Sequence, residues 1–139
     1  MIETKTSTKY FDFFDPNPSP DKDKNDCSVR AICAATGRSW IEVFDLLVNA
    51  ARKNCDMPDS VDTIAEVLEN EGFTPCSITV KKGMRRPTMR SLMGQYPDKI
   101  IVGRCAHHVM CARDGKVLDR WDSSSRPLYK YWIKGDHEK

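Results

Sequence analysis

Three residue types in this chain could together do nucleophilic chemistry: a cysteine, a histidine and an aspartate. Cys27 stands in the stretch Asn25-Asp26-Cys27-Ser28-Val29-Arg30-Ala31-Ile32-Cys33-Ala34-Ala35-Thr36-Gly37. Asn25 and Asp26 suit the start of a helix, apolar residues follow, and Gly37 suits its end. Cys27 would then sit in the first turn, where unpaired backbone N–H groups and the helix dipole place partial positive charge. A thiol there ionises more readily, and the thiolate is the reactive form. It needs a base, usually histidine, and a third group that holds the imidazole in one tautomer.

The chain has three histidines. His137 lies in a polar C-terminal tail. His107 and His108 open an apolar run, His107-His108-Val109-Met110-Cys111-Ala112, which reads as a strand. Asp114-Gly115 is a strong hairpin signal, and Val117-Leu118-Asp119-Arg120-Trp121-Asp122 reads as the returning strand. A two-residue turn sets Arg113 opposite Lys116, His107 opposite Asp122 and His108 opposite Trp121. A three-residue loop sets His108 opposite Asp122 and Asp119 opposite Cys111. In both registers an aspartate stands beside a histidine at one end of the hairpin. Directly opposed residues have Cβ atoms ~5 Å apart, which suits an imidazole–carboxylate hydrogen bond. The candidate set is Cys27 as nucleophile, His108 as base with His107 as alternative, and Asp122 as orienter with Asp119 as alternative. Arg30, one turn after Cys27, could lower the thiol pKa or pair with Asp26 or Asp122.

The elements that must position these residues follow from periodicity and turn chemistry. Residues 1–24 read as an extended arm. It holds the aromatic cluster Tyr10-Phe11-Asp12-Phe13-Phe14, which should pack on the domain, then alternating prolines that forbid a helix, then the charge run Asp21-Lys22-Asp23-Lys24. Ser39 with Glu42 forms a capping box ahead of a helix to about Asn54, with Trp40, Val43, Phe44, Leu47, Val48 and Ala51 at helical spacing. Asp59 or Ser60 caps a third helix that stops at Gly72. Beyond it come a strand within Phe73 to Lys82, a short helix over Pro87 to Met93 closed by Gly94 and Pro97, and strands at Lys99 to Arg104, His107 to Ala112, Val117 to Asp122 and Leu128 to Ile133. Helices first and an antiparallel sheet second make an α+β chain. The expected division is an arm over 1–24, one domain over 25–133 and a polar tail over 134–139.

This layout resembles the papain-like cysteine peptidases, in the broad superfamily that includes the bacteriocin-leader peptidases. There the cysteine heads the first helix of the core, the histidine begins a strand, and an Asp or Asn follows at the end of the next strand. Asn25-Asp26-Cys27 with Arg30-Ala31, the run from His108 through Asp114-Gly115, and Trp121-Asp122-Ser123-Ser124 are similar to small phage and bacterial members. The resemblance implies a papain-like fold and a thiol hydrolase that cleaves or transfers at a peptide, amide or isopeptide bond. Cys27, His108 and Asp122 would act as its catalytic set on a protein or peptide substrate. Such enzymes commonly carry a glutamine shortly before the cysteine that helps bind the oxyanion. No Gln precedes Cys27, Asp21 stands six residues before it, and Asn25 is the candidate donor beside the Cys27 N–H. The alternative reading is a papain-like binding module with weak or no chemistry, such as a small phage protein acting on a host factor.

Composition narrows the remaining classes. The chain of 139 residues has 22 basic and 20 acidic residues and a net charge of +2, so no strong field draws it to nucleic acid or membrane. No apolar run approaches the ~20 residues of a membrane span, and Met1-Ile2-Glu3-Thr4-Lys5 lacks a signal-peptide core, so a cytoplasmic protein is expected, in the host cytoplasm if viral. The six cysteines have irregular spacing with no CxxC pair, which suits free thiols. Cys105, His107 and Cys111 would point one way along a strand and His108 the other, a poor start for a tetrahedral zinc site; no metal or cofactor is expected. Cys33 and the tryptophans Trp40, Trp121 and Trp132 suit the core or a sheet face, and Lys81-Lys82-Gly83-Met84-Arg85-Arg86 a solvated loop.

Overall fold

The computed structural model describes residues 7–19 and 25–135. The expectations for Asp21, for His137 and for the first and last few residues lie outside the described residues. Within them the chain is mixed α+β, with four helices and a six-stranded sheet. None of these helices is long and apolar enough to cross a membrane.

The helices follow their local signals. α1 (Cys27–Thr36) ends at Gly37, whose φ of 78° supplies the left-handed C-cap. α2 (Trp40–Asn54) opens on the Ser39–Glu42 capping box, and α3 (Val61–Asn70) on the Ser60 side chain. α4 (Met89–Gln95) is capped by Thr88 and runs through Gly94 rather than ending at it. The strands are β1 (Phe11–Phe13), β2 (Thr74–Ser77), β3 (Lys99–Cys105), β4 (His108–Arg113), β5 (Lys116–Asp119) and β6 (Lys130–Gly135), in the sheet order β1-β5-β4-β3-β6-β2. β5 is shorter than the sequence pattern suggests. It leaves the ladder at Asp119, so Trp121 and Asp122 lie in the following turn and not on a strand.

The sheet is covered on both faces, which explains the unbroken apolar runs of β3 and β4. Ile100, Val102, Val109, Cys111 and Trp132 pack with α1, α2 and α3. The alternate residues Ile101, Cys105, Met110, Ala112 and Val117 pack with α4 and Leu128. Cys33 belongs to the first of these clusters, as its place on α1 suggests. Residues 81–85 are exposed, as a solvated loop should be.

Two hairpins set the register at the site. Arg113 pairs with Lys116 across Asp114-Gly115, and both turn residues have positive φ (55° and 78°), the type I′ signature. The two-residue alternative is therefore the one adopted. Cys105 pairs with His108 across Ala106-His107, which places His107 in the turn, exposed and with φ 58°, and only His108 on β4.

The aromatic arm does pack on the domain. β1 adds to the sheet edge parallel to β5, with Phe11 level with Val117 and Phe13 level with Asp119, and the Phe14 N–H donates to the Asp119 carbonyl at 2.8 Å. Phe11 is buried whereas Phe13 is 44% exposed. The arm thus covers the edge of the strand that carries Asp119. Truncating its anchor leaves a void, so Phe11→Ala should lower stability by about 3 kcal/mol. A urea unfolding midpoint unchanged from wild type would show that the arm is not part of the cooperative unit.

Candidate active site

The site is built where the N-terminus of α1 meets the start of β4. Cys27 is the first residue of α1, and Asp26 makes no side-chain cap to the helix. The Cys27 thiol and the His108 side chain line the same two clefts and interact electrostatically, and the Val109 backbone also bears on the thiol. His108 Nε2 is 2.7 Å from Asp119 Oδ2. With Nε2 committed to the carboxylate, Nδ1 is the nitrogen left for Cys27.

Asp119, not Asp122, holds the imidazole. The register explains it. Cys111 pairs with Leu118, so one step further along Met110 stands level with Asp119. His108, two residues from Met110, shares its face, and Asp119 is His108's diagonal neighbour. Diagonal neighbours are within reach of long side chains. Asp122 comes after the ladder has ended. It binds Arg90 at 3.4 Å and caps the Ser124 N–H at 3.1 Å, a turn role. Counting only directly opposed pairs therefore selected the wrong aspartate.

Asp119 is 1% exposed and every lone-pair direction is used. Ser123 Oγ donates to Oδ2 at 2.6 Å, and the Arg120 N–H and Arg30 Nε donate to Oδ1 at 2.7 and 3.0 Å. Arg30 is itself buried. Its Nη1 donates to Asp26 Oδ1 at 2.8 Å, while Asn17 Nδ2 and Trp40 Nε1 both donate to Asp26 Oδ2 at 2.9 Å. Arg30 thus pairs with Asp26, one of its expected partners, and with Asp119 in place of Asp122. Buried charges are tolerable when paired and hydrogen-bonded throughout, and these are.

The electrostatics follow from this packing. Burial pushes the Cys27 thiol up, but the nearby His108 side chain, the Val109 backbone and the charges of His108 and Arg30 outweigh it, and the thiol pKa falls below its ordinary value. Burial pulls His108 down, but Asp119 and Cys27 outweigh it and raise its pKa to about 9. Burial likewise pushes Asp119 up, and His108 and Ser123 more than reverse it, so the carboxyl stays ionised. Between the lowered thiol value and about 9, the favoured state is a thiolate beside an imidazolium.

Two clefts meet at Cys27. One, of about 220 Å³, is lined by Asn25, Cys27, Asp59, Arg104, His107 and His108. The other, of about 390 Å³, is lined by Asn25, Cys27, Arg30, His108, Arg120 and Trp121. Asn25 is exposed and borders both. Trp121 is 43% exposed and its ring lies 4.9 Å from that of His108. The sequence assigns this tryptophan to the core or a sheet face; its position opposite His108 in the two-residue register was the signal that its ring would meet the imidazole. Among the described residues, no group of three or more His, Cys, Asp or Glu side chains could hold a metal ion.

No family model, no curated protein and no solved structure matches this chain.

The two aspartates make opposite predictions. Asp119→Asn removes one of the two carboxylates that balance buried Arg30 and should cost about 3 kcal/mol. Asp122→Asn loses a half-exposed pair and should cost less than about 1 kcal/mol. In an NMR titration the His108 ring should hold its proton to about pH 9 in wild type and in Asp122→Asn, and release it at lower pH in Asp119→Asn. Equal behaviour of the two variants would contradict the assignment.

Proposed function

We propose that this chain is a cysteine-dependent hydrolase or acyl-transfer enzyme of papain-like type, acting at a peptide, amide or isopeptide bond of a protein or peptide. The observation that carries the reading is the imidazole of His108, bound by the buried Asp119 carboxylate and lining both clefts together with the Cys27 thiol. Chain order supports it as well: a cysteine heading α1, a histidine opening β4 and an aspartate closing β5, the next strand. That order is the one the papain-like resemblance implies, with Asp119 in the place first expected of Asp122.

The Cys27 thiolate attacks the carbonyl carbon, and the carbonyl π electrons move onto oxygen. The Cys27 N–H at the uncapped start of α1 donates to that oxyanion, joined by the Asn25 side chain from the shared border of the two clefts. The His108 imidazolium then gives its proton to the leaving nitrogen as the C–N bond breaks, which leaves a thioester on Cys27 and a neutral imidazole. His108 next takes a proton from water, or from an acceptor amine, as it attacks the thioester, and collapse of that adduct expels the Cys27 thiolate beside the re-formed imidazolium. Asp119 keeps the ring in place and favours its protonated form throughout.

The competing reading, a papain-like binding module without chemistry, draws on the missing glutamine before Cys27. Alkylation separates the two. Iodoacetamide should label Cys27 fastest of the six cysteines, although Cys55 is more exposed, with a midpoint below the ordinary thiol pKa of about 8.5. His108→Ala should move that midpoint up. The sign for turnover is different at high pH. Activity should rise as pH passes the lowered Cys27 value and fall as pH rises through about 9, where His108 loses the proton the leaving group needs, while alkylation persists. Labelling of Cys27 no faster than that of the other thiols would overturn the enzyme reading.

A further inference from the structure

The net charge of +2 conceals an uneven distribution. Residues 1–80 hold 14 acidic and 8 basic residues, whereas residues 81–139 hold 6 acidic and 14 basic ones. The excess is densest over 81–90, where Lys81, Lys82, Arg85, Arg86 and Arg90 stand without a single acidic residue. The fold concentrates it further by laying residues 86–90 beside residues 124–129. The Leu128 N–H donates to the Pro87 carbonyl at 2.9 Å, Thr88 bridges Pro127, and the Arg90 N–H donates to the Ser124 carbonyl at 3.0 Å. This pairing brings Arg126 to the same region of surface as Arg86 and Arg90. Arg85, Arg90 and Arg126 are exposed, and Arg86 is partly so.

Three of these arginines are held over aromatic rings. Arg86 lies 4.3 Å from the centre of the Tyr129 ring, Arg90 4.6 Å from that of Tyr10, and Arg126 5.7 Å from that of Trp121. The ring face attracts the cation and restricts it before any partner arrives, which lowers the ordering cost of binding. Counter-charge is scarce. Arg90 meets Asp122 at 3.4 Å, but among the described residues no carboxylate pairs with Arg85, Arg86 or Arg126. Crowded like charges repel one another, and an anionic partner relieves that repulsion. The surface is also continuous with the site. Trp121, under Arg126, borders the larger Cys27 cleft, and its ring lies 4.9 Å from that of His108. The Arg126 guanidinium is therefore at most about 11 Å from the imidazole, roughly three residues of extended chain.

We propose that this surface is a docking site for an acidic segment of the substrate, a run of Asp or Glu that begins about three residues from the bond that Cys27 attacks. The assignment rests on the cysteine-enzyme reading above and adds the substrate class to it. Carboxylates suit the surface better than nucleic acid does. Proteins that hold single-stranded nucleic acid present open aromatic faces to its bases, whereas Tyr10, Tyr129 and Trp121 each already carry a guanidinium. The guanidinium edges remain available, and their paired N–H groups match the two oxygens of a carboxylate.

The test uses peptides made of a tetraglutamate run, a triglycine spacer and a chloroacetyl group, the last placed at the N-terminus in one peptide and on a C-terminal diaminopropionate in the other. The same peptides with glutamine for glutamate are the reference. Each labelling rate at Cys27 is divided by the iodoacetamide rate of the same protein. In one of the two chain directions the glutamate peptide should label about tenfold faster or more, the gain that a surface of one charge sign commonly gives. That advantage should fade at about 1 M NaCl, where the screening length is about 3 Å. It should vanish in the double variant Arg86→Gln, Arg126→Gln, and Arg126→Glu alone should make the glutamine peptide the faster. Neither residue belongs to the Cys27, His108 and Asp119 set, so the iodoacetamide rate should stay at the wild-type value. If Cys27 is the fastest thiol toward iodoacetamide but the glutamate and glutamine peptides label it equally in both directions, the docking site is wrong and the enzyme reading stands. An advantage that survives these variants also overturns the docking site. If Cys27 shows no enhanced reactivity at all, the enzyme reading fails and the substrate assignment with it. A fluorescein-labelled oligo-dT strand that binds more tightly than the glutamate run, and is released by the same substitutions, makes the surface a nucleic-acid site and overturns the proposal.

Discussion

An ionised carboxylate under a sheet edge is costly, and the arrangement around Asp119 exists to meet that cost. Four donors converge on it: Arg30, His108, Ser123 and the Arg120 N–H. They come from α1, β4 and the turn after β5, so the one carboxylate fixes the relative placement of three parts of the chain. Arg30 extends the constraint to Asp26 and through it to Asn17 and Trp40. The nucleophile, its base, the arm and the start of α2 are thereby set by one buried polar network. Such networks are stabilising only when complete, so loss of a single member affects all that it holds.

The same network accounts for the reactive state of the site. A histidine beside a thiol gives a neutral pair unless something favours the imidazolium. Asp119 supplies that preference at Nε2, and the uncapped start of α1 favours the thiolate from the other side. Asp26 occupies the N-cap position but spends both oxygens on Asn17, Arg30 and Trp40. Among the described residues, no side-chain oxygen of Asp26 is left to cap the first N–H groups of α1.

Much of this was legible in the residues. Cys27 at a helix start, the Ser39–Glu42 box, the Gly37 stop and the Asp114-Gly115 turn are local signals, and the chain obeys them because nothing tertiary opposes them. His108 over His107 was a narrower choice. It is decided by the Ala106-His107 turn, which the apolar run following it concealed. The errors share a cause. Asp122 for Asp119 came from treating opposed residues as the only partners, while the true contact is diagonal and depends on where β5 leaves the ladder. The parallel pairing of β1 with β5 and the buried bridge from Arg30 are long-range contacts with no local pattern to announce them.

The central claim is that Cys27 and His108 share a thiolate–imidazolium state maintained by Asp119. The ultraviolet absorbance of thiolate, followed with pH as the difference between wild type and Cys27→Ser, reads it directly. The account predicts a Cys27 titration below the ordinary thiol range that moves upward in His108→Gln. A thiol that titrates in or above the ordinary range, and does not respond to loss of His108, would contradict it.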